Sequence, residues 1–286
     1  MKYIEYKTEE AMHEINMKSL PYKYDLNIYR GCTHECKYCY AYYSQKSLRD
    51  LGEANDIIVK TNIVEVLERE LAAPTWERKV VNIGGVCDSY QQCEANYKYM
   101  PDILRLMIKY KTPVIISTKS DLILRDIDLI DELASVTYVN IPVCITTVDP
   151  NISKKVEPGA ATPEKRFEVL KELSKTKAYT GFHVMPIIPI LADDNETLET
   201  MCKWAKEAEV TYMLTGILYM SGGIRKRFMN FIKEEFPEHY DAFNKLYPKG
   251  AADPEYKSNL HERFNILKEK YNINTSYAKF LPKNHK

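Results

Sequence analysis

Short apolar runs alternate along the chain with longer segments in which apolar residues recur on one helical face. Six runs, rich in valine, isoleucine and tyrosine and bounded by turn-forming residues, predict buried strands at 25–29, 80–83, 113–117, 139–145, 182–187 and 212–218. Five segments between them predict amphipathic helices at 62–71, 97–110, 126–134, 163–174 and 196–208. Thr162 followed by Pro163 is typical of a helix start, because threonine caps the first turn and proline fits within it.

This alternation of strands and helices predicts a parallel sheet and therefore an α/β fold. Six units favour a partial (β/α)6 TIM-like barrel over a closed eight-fold barrel. We expect residues 25–221 to form this barrel, after an N-terminal segment of residues 1–24. After residue 222 the pattern becomes helical and charged, so residues 222–286 are predicted to be a helical C-terminal extension packed on the barrel.

Composition narrows the class of protein. The 286 residues include 40 acidic and 40 basic side chains, and a net charge of zero does not favour tight, salt-driven coating of nucleic acid. No apolar stretch is long enough to span a bilayer, and the charged start has no secretory apolar region, so we expect a cytoplasmic monomer without membrane contact. Seven cysteines, an odd number, argue against a disulfide framework and for metal or redox chemistry.

Three of these cysteines follow the first predicted strand in the spacing C-x3-C-x2-C, as Cys32, Cys36 and Cys39. Thiolates hold iron–sulfur clusters, and four are usual when the protein ligates every iron. Three would leave one iron open, as a cofactor or substrate requires. Zinc with His34 as fourth ligand, or three structural cysteines, are the alternatives, but zinc ligands usually come in two paired groups.

The segment GCTHECKYCYA at residues 31–41 resembles the signature of the radical S-adenosylmethionine (SAM) superfamily. It is similar to the branch that includes spore photoproduct lyase and the DNA repair photolyase-like proteins. The resemblance implies a 4Fe-4S cluster on the three cysteines and SAM on the open iron. One electron would cleave SAM to methionine and a 5′-deoxyadenosyl radical, which abstracts hydrogen from a substrate. It also implies a reductant such as flavodoxin or ferredoxin.

Further motifs follow the predicted strands, at the sheet edge where barrel enzymes place their sites. The resemblance implies that backbone at Gly84 and Gly85 binds the SAM amino group, and that Lys119 helps to hold SAM. It also relates the E-P-G-x-x-x-P-x-K-R segment to the lyase, in which Arg166 either contacts SAM or pairs with Glu157 to shape the pocket. The segment 185–189 resembles a lip that packs on adenine. A plain turn, a solvated lysine and ordinary core are the structural alternatives.

One position departs from the branch. In the lyase, a cysteine near the end of the second strand returns hydrogen to the product radical, and alignment on the shared Asp88 puts Gly85 there. Cys87 lies two residues further on and would point to the same face if the strand continued. We therefore expect Cys87, with Tyr38 or Tyr40, to return hydrogen, with a buried structural thiol as the alternative.

The remaining cysteines lie outside the three-cysteine segment. Cys93 is a weaker candidate for hydrogen return, and Cys144 and Cys202 are expected to be buried in a strand and a helix. The basic run at 224–228 could touch phosphates or form a solvated helix face.

The resemblance makes a radical SAM enzyme acting on thymine-dimer-type DNA lesions the leading interpretation, with damaged DNA as the partner. One alternative keeps the radical chemistry but acts on a peptide or a small metabolite, which the zero net charge favours. A second alternative is a zinc or iron–sulfur binding protein without catalysis.

Overall fold

The computed structural model describes residues 1–17, 19–42 and 56–283. The strands are β1 (Tyr3–Tyr6), β2 (Met12–Glu14), β3 (Tyr24–Leu26), β4 (Tyr29–Arg30), β5 (Ile57–Lys60), β6 (Val81–Ile83), β7 (Val114–Ile116), β8 (Val139–Cys144), β9 (Tyr179–Ile187) and β10 (Tyr212–Ile217). The α-helices are α1 (Ile63–Leu71), α2 (Glu94–Tyr97), α3 (Tyr99–Tyr110), α4 (Ile127–Val136), α5 (Pro150–Val156), α6 (Pro163–Leu173), α7 (Asn195–Glu207), α8 (Gly223–Glu235), α9 (Tyr240–Leu246) and α10 (Pro254–Lys270).

The main sheet has the strand order β10-β9-β8-β7-β6-β3-β2. Its pairs are parallel except for β2, which runs antiparallel to β3 at one edge. All six predicted strand segments contribute to this sheet in chain order, so the predicted α/β fold with a parallel sheet is confirmed. A smaller sheet of β1, β5 and β4 lies beside the start of the cysteine segment.

The predicted strand at 25–29 is wrong in one respect, because it breaks into β3 and β4, which belong to different sheets. The break lies at Asn27, which is 2% exposed. Its amide donates to the Asp25 carboxylate at 2.7 Å, and its side-chain oxygen accepts from the Val86 N–H at 3.0 Å. These polar contacts take the chain out of the first sheet and lead it towards the cysteines.

Helix starts follow the capping rules. The Thr162 hydroxyl accepts from the Lys165 N–H at 3.4 Å, which confirms the predicted start of α6. Asp149 caps α5 through the Asn151 N–H at 2.7 Å. The core between the sheet and its helices is aliphatic, and its fully buried members include Ile83, Ile116, Ile141 and Val184.

The helices after residue 222 bury apolar faces of their own. Phe228 and Ile232 on α8 are fully buried in a second apolar cluster, which also contains Cys36 and Tyr38. The packing of α8 therefore reaches the cysteine segment. Residues 284–286 of the predicted extension lie outside the described residues. No helix in the described ranges is both long enough and apolar enough to cross a bilayer.

Candidate active site

The cysteines lie on a loop that follows β4 and is fixed from both sides. Gly31 begins it with φ +86°, and a Cβ there would lie 2.6 Å from the Asp56 carbonyl oxygen, so only glycine fits without movement. The Thr33 N–H donates to the Gln91 side-chain oxygen at 2.9 Å, and the Gln91 amide donates to the Gly31 carbonyl at 3.1 Å. Gln91, fully buried, therefore clamps the loop.

Asp88, which follows β6, connects the cysteine loop to the segment that follows β7. Its carboxylate accepts from the Thr118 hydroxyl at 3.0 Å and from the Lys119 N–H at 2.7 Å. The same carboxylate accepts from the Tyr90 N–H at 2.8 Å and lies 3.5 Å from Nδ1 of His34. Neither Asp88 nor Gln91 was predicted as a site residue, although both lie within the polar stretch that follows β6.

Cys32, Cys36 and Cys39 line one hollow of about 320 Å³. In the described part of the chain, no three histidine, cysteine or acidic side chains converge closely enough to hold a single metal ion. A cluster of several irons needs a wider space and thiolate donors, and this loop offers both. Burial, followed by the charge of Glu157, raises the pKa of Cys36 to about 12, so cluster binding must displace its proton.

The E-P-G turn packs directly on the cysteine loop. The Gly159 N–H donates to the His34 carbonyl at 3.1 Å, and the Lys37 N–H donates to the Val156 carbonyl at 2.9 Å. A Cβ at Gly159 would lie 1.9 Å from the Thr33 carbonyl oxygen. The two most specific motifs of the sequence are therefore one packed unit.

Gly159→Ala is expected to push the cysteine loop out of place, because the added methyl group meets backbone rather than a flexible side chain. We expect a loss of about 1–3 kcal/mol in the free energy of unfolding, as for overpacking elsewhere, and a lower iron content after reconstitution. Gly216→Ala is the matched control, since its nearest neighbour, Met185 Cγ, would lie 3.5 Å away. Urea unfolding and iron analysis compare the two; equal behaviour would contradict the packing argument.

Glu157 and Arg166 form a fully buried ion pair of 2.7 Å. Arg166 also donates to the Cys144 carbonyl at 2.8 Å and to the Ser153 hydroxyl at 2.9 Å. Burial raises the pKa of Glu157, but the charges of Arg166 and Lys119 outweigh burial and hold that pKa below its usual value. The structural ion pair that the sequence left open is thus present.

The same carboxylate holds Tyr38, whose hydroxyl donates to Oε1 of Glu157. Lys119 lies beside this ring, with its Nζ 5.9 Å from the Tyr38 ring centroid. Burial lowers the pKa of Lys119, but Cys144, Glu157 and Cys36 together raise it above the usual value. Lys119 is therefore a half-buried cation inside the site rather than a solvated surface lysine.

Gly85 lies against a buried carboxylate, and its neighbour Gly84 lies against Cys87 and Ser89. Gly84 has φ +89°, and a Cβ on Gly85 would lie 2.3 Å from Oδ1 of Asp25. Asn27 and Asn82 hold this carboxylate through donated hydrogen bonds of 2.7 and 2.8 Å. Asp25 thus occupies the space that any side chain at residue 85 would need. This contact was not predicted.

A cavity of about 280 Å³ lies along the strands of the main sheet, next to the two glycines. In the described ranges its wall includes no carboxylate, lysine or arginine, and it is lined by tyrosines, amides and apolar groups, among them Tyr40, Asn140, Met185 and Tyr212. His183 also lines it, and burial, followed by the charge of Lys119, lowers the pKa of His183 to about 3, so its ring is neutral. The Tyr40 hydroxyl donates to the Gly85 carbonyl at the rim.

Cys87 is not among the residues that line this cavity. Its Sγ lies 4.0 Å from Oδ1 of Asn27, and burial raises the pKa of its thiol to about 12. Cys93 and Cys202 are buried in the main core. Cys144 is only half-buried, contrary to the expectation of a buried thiol, because it is the last residue of β8, where the buried strand ends. Tyr38 and Tyr40 lie on the cysteine loop itself, where Tyr38 contacts Glu157 and Lys119 and Tyr40 contacts Gly85.

Known proteins resemble this chain in sequence and in fold. The model of the Radical SAM superfamily matches residues 26–205. An uncharacterized protein of Mycobacterium tuberculosis is 32% identical over 271 residues, which cover 93% of this chain and 79% of that protein. An uncharacterized protein of Methanocaldococcus jannaschii is 27% identical over 262 residues, which cover 91% and 92% of the two chains.

Solved structures share the fold at low identity. A cysteine-to-serine mutant of spore photoproduct lyase matches with a TM-score of 0.68 and 12% identity, over 94% of this chain and 79% of that chain. Streptococcus suis SuiB bound to the precursor peptide SuiA matches with a TM-score of 0.51 and 14% identity, over 90% and 48% of the two chains. From its family match, its sequence relatives and its fold, the chain belongs to the radical SAM superfamily of enzymes.

Proposed function

We propose that this chain cleaves SAM reductively with a 4Fe-4S cluster on Cys32, Cys36 and Cys39, and abstracts hydrogen from a substrate in the adjoining cavity, as in the branch of spore photoproduct lyase. The observation that carries the proposal is that the three thiols line one hollow. Their loop is held by Gln91 and by the turn at Gly159, which come from two other strand ends. Such support from rigid elements is what a catalytic cluster requires.

The proposed roles follow from position. When bound, the cluster supplies the electron that splits SAM into methionine and the 5′-deoxyadenosyl radical. Lys119 pairs with the SAM carboxylate as a fixed cation. Gly84 and Gly85 leave the backbone open to close approach. Arg166 holds Glu157 in place and, through Glu157, the Tyr38 hydroxyl. It is therefore a positioning residue, in addition to any direct contact that it makes with SAM.

The proposal includes a partial (β/α)6 barrel at residues 25–221, with an N-terminal segment before it and a helical extension at 222–286 after it. Six neighbouring parallel strands support the barrel, and the buried face of α8 supports an extension that packs against the cysteine loop. The extension then closes one side of the site.

For the substrate we favour a DNA lesion of the thymine-dimer type. The cavity wall of tyrosines, amides and a neutral His183 suits a flat, uncharged base. A damaged base must leave the duplex to enter such a space. A match to spore photoproduct lyase complexed with dinucleoside spore photoproduct supports the same choice. The second candidate is a peptide, which the likeness to SuiB bound to SuiA and the zero net charge favour.

Hydrogen return to the product radical is the last proposed step. Tyr40 lines the cavity, which supports a role for its hydroxyl in hydrogen return. The Tyr38 hydroxyl is bound to Glu157 and does not line the cavity, so a role for Tyr38 rests on the resemblance alone. We keep Cys87 as the proposed donor. Its path to the cavity leads past Asn27 and the Asp25 carboxylate, which occupies the space beside Gly85.

Anaerobic reconstitution with SAM and dithionite tests the proposal. We expect 5′-deoxyadenosine to form, and its rate to rise severalfold with ultraviolet-irradiated DNA but not with unirradiated DNA of the same sequence, because only the lesion places an abstractable hydrogen in the cavity. Unchanged product yield and deuterium routing in Cys87→Ala would remove Cys87 from the mechanism. Steady SAM cleavage without stimulation by damaged DNA would refute repair and leave the radical chemistry in place.

A further inference from the structure

A second hollow, open to solvent and about 700 Å³ in volume, lies between α5 and α8. We call it the basic groove. Among the residues that the structure describes, its charged lining side chains are Lys37, Lys154, Lys155, Arg227, Glu234 and Glu235. Basic side chains thus outnumber acidic ones by four to two, on a chain whose net charge is zero.

The basic groove adjoins the cysteine hollow. Lys37 and Arg227 line both, so the two spaces meet at these side chains. The hydrogen bond of 2.9 Å from the Lys37 N–H to the Val156 carbonyl fixes the end of α5 against the cysteine loop. Cys32 and Cys39 are half-buried, so the cluster site is close to the surface on this side of the protein.

The positive charge of the groove comes from particular residues. Lys155 forms an ion pair with Glu235 at 3.3 Å, so these two charges balance each other. The other charged lining residues are three basic side chains, Lys37, Lys154 and Arg227, and one acidic side chain, Glu234. Arg227 stacks over the Tyr42 ring, with its guanidinium carbon 4.1 Å from the ring centroid.

The basic run at 224–228 therefore divides in two. Arg225 turns inward and donates to the Tyr247 carbonyl at 2.8 Å, where it has a structural role. Arg227 faces the groove, and the exposed Lys226 lies between them on the same helix.

We infer that the basic groove is the docking surface of an acidic electron-carrier protein that reduces the cluster. This inference rests on the proposed function, since only a cluster that is used for catalysis needs repeated reduction. One electron passes from the reduced carrier to the cluster, and the carrier leaves oxidised by one electron. Electron-transfer complexes are small and short-lived, so their rate depends on charge steering more than on buried area. A groove with excess positive charge beside the cluster suits this task.

Lys154→Glu tests the inference, with a reduced flavodoxin as the probe. Lys154 is exposed in the last turn of α5, and Lys206, exposed in the last turn of α7, gives the matched control Lys206→Glu. Stopped-flow absorbance of the reconstituted protein measures cluster reduction, and titration of the same protein with flavodoxin measures binding. We expect Lys154→Glu to slow reduction and weaken binding by about three- to tenfold at low salt, and the difference to vanish at high salt.

Reduction with dithionite distinguishes a failure of the docking inference from a failure of the proposed function. As a small reductant, dithionite needs no docking surface, so both variants and the unaltered protein should be reduced by it at the same rate. Equal flavodoxin rates and affinities in Lys154→Glu and Lys206→Glu would overturn the inference. So would a loss of duplex DNA binding in Lys154→Glu with flavodoxin reduction intact, which would assign the groove to nucleic acid. Failure of the unaltered protein to cleave SAM with dithionite would instead refute the proposed function.

Discussion

Cys36→Ala is expected to abolish reductive cleavage of SAM and to remove most of the iron from the reconstituted protein. Cys36 is one of three thiols that line the same hollow, and its loop offers no fourth thiol to replace it. Loss of groups that only support a metal ligand costs about 10–100-fold, so the loss of a ligand should lower 5′-deoxyadenosine formation by at least about 100-fold. Iron and sulfide analysis and product formation under dithionite measure the effect.

Cys202→Ala provides the control. Cys202 is also a buried cysteine, fully covered on α7 in the main core and not part of the cysteine hollow. Its removal creates a small cavity but leaves the cluster site untouched, so iron content and SAM cleavage should stay close to those of the unaltered protein. Full iron content in Cys36→Ala, or equal losses in both variants, would contradict the assignment of the cluster to this loop.

Arg166→Ala is expected to lower the free energy of unfolding by about 3–5 kcal/mol, because it leaves the Glu157 carboxylate buried without its partner. The variant also removes the bonds to the Cys144 carbonyl and the Ser153 hydroxyl. The double change Glu157→Gln with Arg166→Met should cost less than the sum of the two single changes, since no uncompensated charge remains. Urea unfolding of the unaltered protein, Arg166→Ala, the single variants Glu157→Gln and Arg166→Met, and the double variant measures these losses.

Arg105→Ala is the matched control for this effect. Arg105 also pairs with a carboxylate, Asp102, at 2.8 Å, but both side chains are exposed. Such a pair contributes less than about 1 kcal/mol. A loss in Arg166→Ala no larger than that in Arg105→Ala would mean that the buried pair does not hold the E-P-G segment in place.

The six parallel strands of the main sheet could be predicted from the sequence because they are short apolar runs between clear turns, whereas the short, partly exposed β2 at its edge was missed. The smaller sheet was missed, since β4 has two residues and β1 is largely exposed, so neither carries a hydrophobic pattern. The break at Asn27 was missed for a different reason. It depends on hydrogen bonds to Asp25 and Val86, and local periodicity contains no sign of them.

The candidate site also has features that the sequence predicts and contacts that it does not. The cysteine spacing is local and could be predicted, whereas Gln91 reaches Thr33 across 58 positions of the chain and Tyr38 reaches Glu157 across 119. The orientation of Cys87 depended on the second strand continuing, but β6 ends at Ile83, and the alternation of strand faces does not extend through the turn that follows. Local pattern therefore identified the donors of the cluster but not the contacts that hold them.

The carboxylate beside Gly85 has an evolutionary consequence. Gly85→Cys alone would bring a Cβ to 2.3 Å from Asp25, whereas Asp25→Gly alone would leave the amides of Asn27 and Asn82 without their acceptor. Each single substitution damages the site before the other can compensate. Asp25 and Gly85 are therefore expected to change together or not at all, and a lineage that has acquired this pair would tend to keep it.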